Sequence, residues 1–156
     1  MAKKHLKLLL IFILLFAAVF IFMRLFNDPE EENIFEVNLR EHKNLALHIH
    51  PILEIEILGQ KYTIPANTGI SASGMRVIHT HDSTGTLHIE SPYPYQFYLK
   101  DFFIIWGKNL NSSCIFEYCE DNEHELVFYA NGIQSQEREN IPLKDKDVIR
   151  IAYKKK

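Results

Sequence analysis

The sequence predicts a small α+β or mostly β domain of antiparallel hairpins with one short helix, set behind an N-terminal transmembrane helix. Three observations carry this expectation. Residues 8–23 contain no charged side chain and follow a lysine-rich start. From residue 45 onward, apolar residues recur at a period of two, the spacing of half-buried strands. Turn formers punctuate those runs, and a single segment reads as helical.

MAKKHLKLLLIFILLFAAVFIFMRLF, residues 1–26, reads as a cytoplasmic tip and a membrane anchor. Leu6 to Phe26 is long enough to cross when Lys7 and Arg24 extend their charged ends to the headgroups, since roughly 20 residues span the hydrocarbon core. A cleaved signal peptide needs small residues after the apolar core, whereas Phe22, Met23, Leu25 and Phe26 stand there, so retention is expected. Lys3, Lys4 and Lys7 precede the segment, and Asp28, Glu30, Glu31 and Glu32 follow it. The positive-inside rule then expects a single pass through the inner, cytoplasmic membrane with the C-terminal part outside. No cysteine lies near the apolar run, so lipoprotein processing is not supported.

NDPEEENIFEVNLREHKN, residues 27–44, reads as an acidic linker that can order in part against the domain. Residues 45–156 are left for an extracytoplasmic, histidine-rich β domain, enough for one small core. The whole chain carries 17 Lys and Arg against 20 Asp and Glu, a net charge of −3. No basic stripe tracks phosphates, so nucleic acid is not an expected partner.

LALHIHPILEIEIL, residues 45–58, alternates as a strand, bent at Pro51. Gly59 and Gln60 make the turn into KYTIP, a second strand, and PANTGISASG follows as a loop. MRVIHTHDSTGTLHIESP, residues 75–92, reads as a second hairpin, with Asp82 and Gly85 at the ends of a type I turn. FYLKDFFIIWGKN, residues 97–109, is the helix, ended by Gly107, although its aromatics also suit a buried strand. CIFEY and ELVFYANG are strands, and DVIRIAY is the last, with Ile149, Ile151 and Tyr153 inward. Lys154, Lys155 and Lys156 read as a solvated tail. This order of hairpin, helix and final strand is β-grasp-like, and a sandwich-like arrangement fits nearly as well.

Cys114 and Cys119 are the only cysteines. As one straight strand, CIFEY would hold them about 16 Å apart, beyond any disulfide, so a bridge demands a bend near residues 117–119. A disulfide, two free thiols and a metal role all remain open.

Five of the eight histidines fall between positions 48 and 88. Alternation puts His48 and His50 on one strand face, and His79 and His81 on another. With Ser83 and Thr84 at the hairpin tip, His79 lies opposite His88, with Cβ atoms about 5 Å apart. His79, His81 and His88 therefore converge by local geometry. Three neutral imidazoles suit zinc, copper, nickel or ferrous iron, and Asp82, Glu90 and Glu54 can add a ligand or orient the rings. Against this, an isolated histidine pair on a strand is commonly just surface. His5, His42 and His124 lack such company and read as surface residues.

An anchor followed by HIHPILEIEILGQKYTIPANTGI, VIHTHDSTGTLHIESP and LKDFFIIWG resembles an uncharacterised family of small membrane-anchored, exported prokaryotic proteins. In that family, HIHP, IPAxxGI, HTHDxxGxxHxESP and FFxxWG blocks recur in this order. The resemblance covers nearly all of residues 45–153 and implies that His48, His50, His79, His81, Asp82 and His88 are signature positions. It implies no activity.

The leading functional expectation is a membrane-anchored protein that captures, buffers or delivers a transition metal outside the cytoplasm. Copper is slightly favoured, since the compartment is oxidising and Met75 lies near the motif, with zinc close behind. The metal ligands would come from His48, His50, His79, His81, His88 and Asp82. One alternative is an interaction module docking on an envelope protein through a strand edge. The other is a small metalloenzyme with an open coordination position, for which no catalytic motif is visible.

Overall fold

The computed structural model describes residues 33–156 together with His5, Ile13, Leu15 and Phe16. The anchor expected over residues 1–26 thus lies almost entirely outside the described residues. Among those described, no helix is long and apolar enough to cross a membrane.

The unit from Ile34 to Lys156 is α+β and predominantly β. Its strands are β1 (Leu47–Ile49), β2 (Ile52–Ile57), β3 (Gln60–Tyr62), β4 (Ile78–His79) and β5 (His88–Ser91). After the helix α1 (Leu99–Trp106) come β6 (Cys114–Ile115), β7 (Tyr118–Cys119), β8 (His124–Ala130), β9 (Ile133–Gln134) and β10 (Val148–Lys155). A five-stranded sheet has the order β3-β2-β10-β8-β9, in which β10 runs parallel to β2 and the other pairs are antiparallel. A three-stranded antiparallel sheet has the order β1-β5-β4.

The period of two in β2 and β10 does what a half-buried strand requires. Leu53, Ile55 and Ile57 from β2, with Ile149, Ile151 and Tyr153 from β10, enter one core. Ile78, Leu87 and Ile89 of the histidine hairpin and Leu99, Phe102 and Phe103 of α1 join the same cluster. The helix starts where the Asp101 carboxylate accepts the Tyr98 amide at 2.8 Å, and it ends at left-handed Gly107.

Several boundaries differ from expectation. Residues 45–58 are two strands in two sheets, because the chain changes sheet at His50 and Pro51, where proline cannot continue a ladder. The first hairpin turns at Leu58 and Gly59, both at positive φ, which matches a two-residue loop to strand twist. β9 was missed, although Asn131 and Gly132 before it form another positive-φ pair and NG is a strong hairpin signal. The closing lysines are not all tail, since β10 runs to Lys155.

Residues 34–41, inside the stretch read as linker, pack on the domain. Val37 and Leu39 are buried in the core, and Asn38 and Arg40 tie down the loop at 71–75. Cys114 and Cys119 are disulfide-bonded, with Cα atoms 4.1 Å apart. Instead of one strand, CIFEY folds back at Phe116 and Glu117, so the two cysteines become direct partners across β6 and β7. Phe116 takes the left-handed conformation, held by hydrogen bonds in both directions with Asn109.

Candidate metal centre

The histidines meet because β5 is the middle strand of the small sheet. His79 on β4 is the register partner of His88 on β5, the pairing expected from the turn spacing. On the other side, β1 pairs with β5 so that His48 lies opposite Glu90. Two residues further, where β1 gives way to Pro51, the His50 ring comes 4.7 Å from the His88 ring, centroid to centroid. Alternation then places all five histidines on the same side of the sheet.

Their ligand atoms form two sets. In each of His79, His81, His88 and His48, His50, His88, all the ligand atoms lie within 4.8 Å of one another. The Nε2 atoms of His79 and His81 stand 3.2 Å apart. Two imidazole nitrogens bound tetrahedrally to one zinc ion, each at about 2.0–2.1 Å, stand about 3.3 Å apart. The two rings are thus already at ligating separation. His88, whose ring centroid is 4.4 Å from that of His81, completes the set, its ligand atom within 4.8 Å of the other two.

The surroundings hold His79 as a ligand should be held. Its Nδ1 is 3.0 Å from the Arg76 carbonyl oxygen, which can only accept, so Nδ1 carries the proton and Nε2 offers its lone pair. Arg76 is itself fixed by an ion pair to Glu36 at 2.8 Å and by its amide on the Gly69 carbonyl. Burial brings the His79 pKa down to about 4, against the weaker pull of the Arg76 carbonyl and Glu90. Burial lowers His88 as well, with His81 and His50 adding repulsion. Both rings are therefore neutral near pH 7, the form that binds metal.

Loop packing explains the depth of His79, which is fully buried. The 65–74 loop lies against β4, with the Asn67 amide on the Thr80 carbonyl and the Thr80 amide on the Thr68 carbonyl. Gly69 sits so close that a Cβ there would overlap the Ile78 carbonyl oxygen and touch His79 Cβ at 3.1 Å. The outer rings are more open: the side chains of His48 and His50 are 50% and 39% exposed. Carboxylates stand beside them, Glu90 at 3.4 Å from His48 Nε2 and Asp145 at 3.9 Å from His50 Nδ1.

Not every expected participant converges. Asp82 belongs to neither set; its Oδ1 accepts from the amide and the hydroxyl of Thr84, which lowers its pKa and closes the turn. The ladder also stops short of the tip. Thr86 bridges to Ile52 and the Gly85 carbonyl accepts the Leu53 amide, so the hairpin end leans onto β2. Met75 is tied into the 70–75 turn and packs against the core. Asp145, from the loop before β10, was missed, and no spacing signal in the sequence links it to His50. His124 is not a plain surface residue, since its ring stacks on Tyr153 at 5.2 Å.

No protein-family model, curated protein or solved structure matches the chain. Among the described residues, two histidine triads able to hold a metal ion stand on one face of a small sheet.

Proposed function

We propose that this protein binds a transition metal, copper or zinc, through His79, His81 and His88, and serves to capture, buffer or deliver it. The observation that carries this is the 3.2 Å separation of the His79 and His81 Nε2 atoms beside His88. An all-imidazole set of neutral rings favours borderline ions over magnesium or calcium, which want oxygen ligands. The proposal includes the N-terminal segment as a single-pass anchor that holds the domain outside the cytoplasm, and the family resemblance drawn from the HIHP and HTHD blocks. We also read the connectivity as β-grasp-like. The β2–β3 hairpin, the helix and a last strand, β10, parallel to β2 support it, with the histidine sheet built from β1 before that hairpin and β4 and β5 after it.

The test is calorimetric titration of the metal-stripped full chain, in mild detergent, with zinc(II), copper(II) and copper(I). Binding of at least one of these well below millimolar is expected, and failure of all three would end the metal proposal. A docking role for the exposed edge strand β3 is the second reading. Partner capture that survives a chelator unchanged would favour it.

A further inference from the structure

We infer that the histidines form two metal stations sharing His88, an outer one that takes up the ion and an inner one that retains it. This rests on the metal-binding proposal above and adds a route to it. The five ligand atoms do not make one compact set; the two triads have His88 alone in common. The two pairs, His48 with His50 and His79 with His81, flank β5 from opposite sides.

The stations differ in the properties that separate uptake from retention. His48 and His50 are open to solvent and have Glu90 and Asp145 beside them, whose negative charge attracts a cation. His79 is buried and oriented by the Arg76 carbonyl. Each triad has one exposed ring, His48 outside and His81 inside, so it is the carboxylates beside His48 and His50 that draw an arriving ion to the outer ligands first.

Transfer then exchanges bonds without releasing the ion. The bonds to His48 and His50 break, those to His79 and His81 form, and His88 stays attached throughout. No electron changes hands. His79 already presents a free Nε2, so the proton in the His79 to His81 contact belongs to His81 Nε2. His81 Nε2 gives up that proton, to its exposed Nδ1 or to solvent, as the metal binds. Both stations draw on His88, so filling one takes a ligand from the other, and the expected stoichiometry is one tightly held ion per chain.

The experiment uses zinc(II), delivered to the metal-stripped full chain from a coloured chelator, with loading followed by rapid mixing and stoichiometry by metal analysis. His48→Ala with His50→Ala is expected to retain one ion and to bind it within about threefold of the parent, while loading slows about tenfold. His81→Ala, at an exposed position that leaves the buried His79 in place, is expected to load at the parental rate and bind about a hundredfold more weakly. Circular dichroism confirms that each variant is folded. Three results would overturn the inference: parental loading by the His48/His50 variant, an affinity loss in that variant as large as in His81→Ala, or two zinc ions bound with similar affinity. A parent chain that binds no zinc, copper(II) or copper(I) would instead defeat the underlying metal proposal.

Discussion

His79 and His88 face one another across β4 and β5, their rings stacked with planes 22° apart and centroids separated by 5.6 Å. The pair joins a buried, oriented imidazole to one that both triads share. Replacing both with Ala is expected to abolish detectable metal binding by calorimetry, because neither triad keeps three ligands. His42→Ala, which removes an edge contact with Tyr93 rather than a cluster ring, should leave affinity unchanged.

Metal should also stabilise the fold. At a free zinc concentration about a hundredfold above Kd, stabilisation of about 2.7 kcal/mol is expected from mass action alone. Thermal melts with and without zinc read this directly, and the His79/His88 double variant should show no shift.

Acid should weaken the metal-free protein. Burial holds His79 at about 4 in the folded state against an ordinary value of 6.5, so the unfolded chain takes up the proton first as pH falls. Stability is intact above about pH 6.5 and declines towards about pH 4, by at most about 1.4 kcal/mol per pH unit and on the order of 2 to 3 kcal/mol in all. Urea midpoints across that window measure it, and His79→Gln should flatten the slope.

Gly69 is at φ +78 and against β4. Gly69→Ala combines an unfavourable backbone conformation with an overlap at the Ile78 carbonyl, for an expected loss of about 2 kcal/mol. Displacing β4 also moves His79, so metal affinity should fall with stability. A denaturation curve and a zinc titration on the same sample check both.

The disulfide spans a sequence separation of 5. Closing so short a loop removes little chain entropy, and Cys114→Ser with Cys119→Ser should cost roughly 2 kcal/mol. Zinc affinity should not change, since neither cysteine belongs to a histidine set.

How far each feature was legible follows from how far apart its parts lie in the chain. The pairing of His79 with His88 was readable because a short turn sets the register of its own hairpin. The inward rows of β2 and β10 were readable because strand alternation needs no knowledge of the partner. The bend in CIFEY was not, since a Phe in the left-handed conformation breaks the usual association of such turns with Gly or Asn. The packing of Val37 and Leu39 was hidden in a stretch whose average is acidic and polar.

By itself, the sequence determined the α+β character of the domain, the hairpin that aims His79, His81 and His88 at one another, and the grouping of His48 with His50 on one strand face. These are short-range properties, written in alternation and turn spacing. Only the tertiary structure decided that β1 lies beside β5, that the chain crosses between sheets at Pro51 to bring His50 over His88, and that the 65–74 loop and Arg76 bury and orient His79. The first two depend on pairings between segments about forty residues apart, and the third on how a nearby loop folds back on β4; all are chosen by how the apolar faces share one core, and strand alternation does not carry that choice.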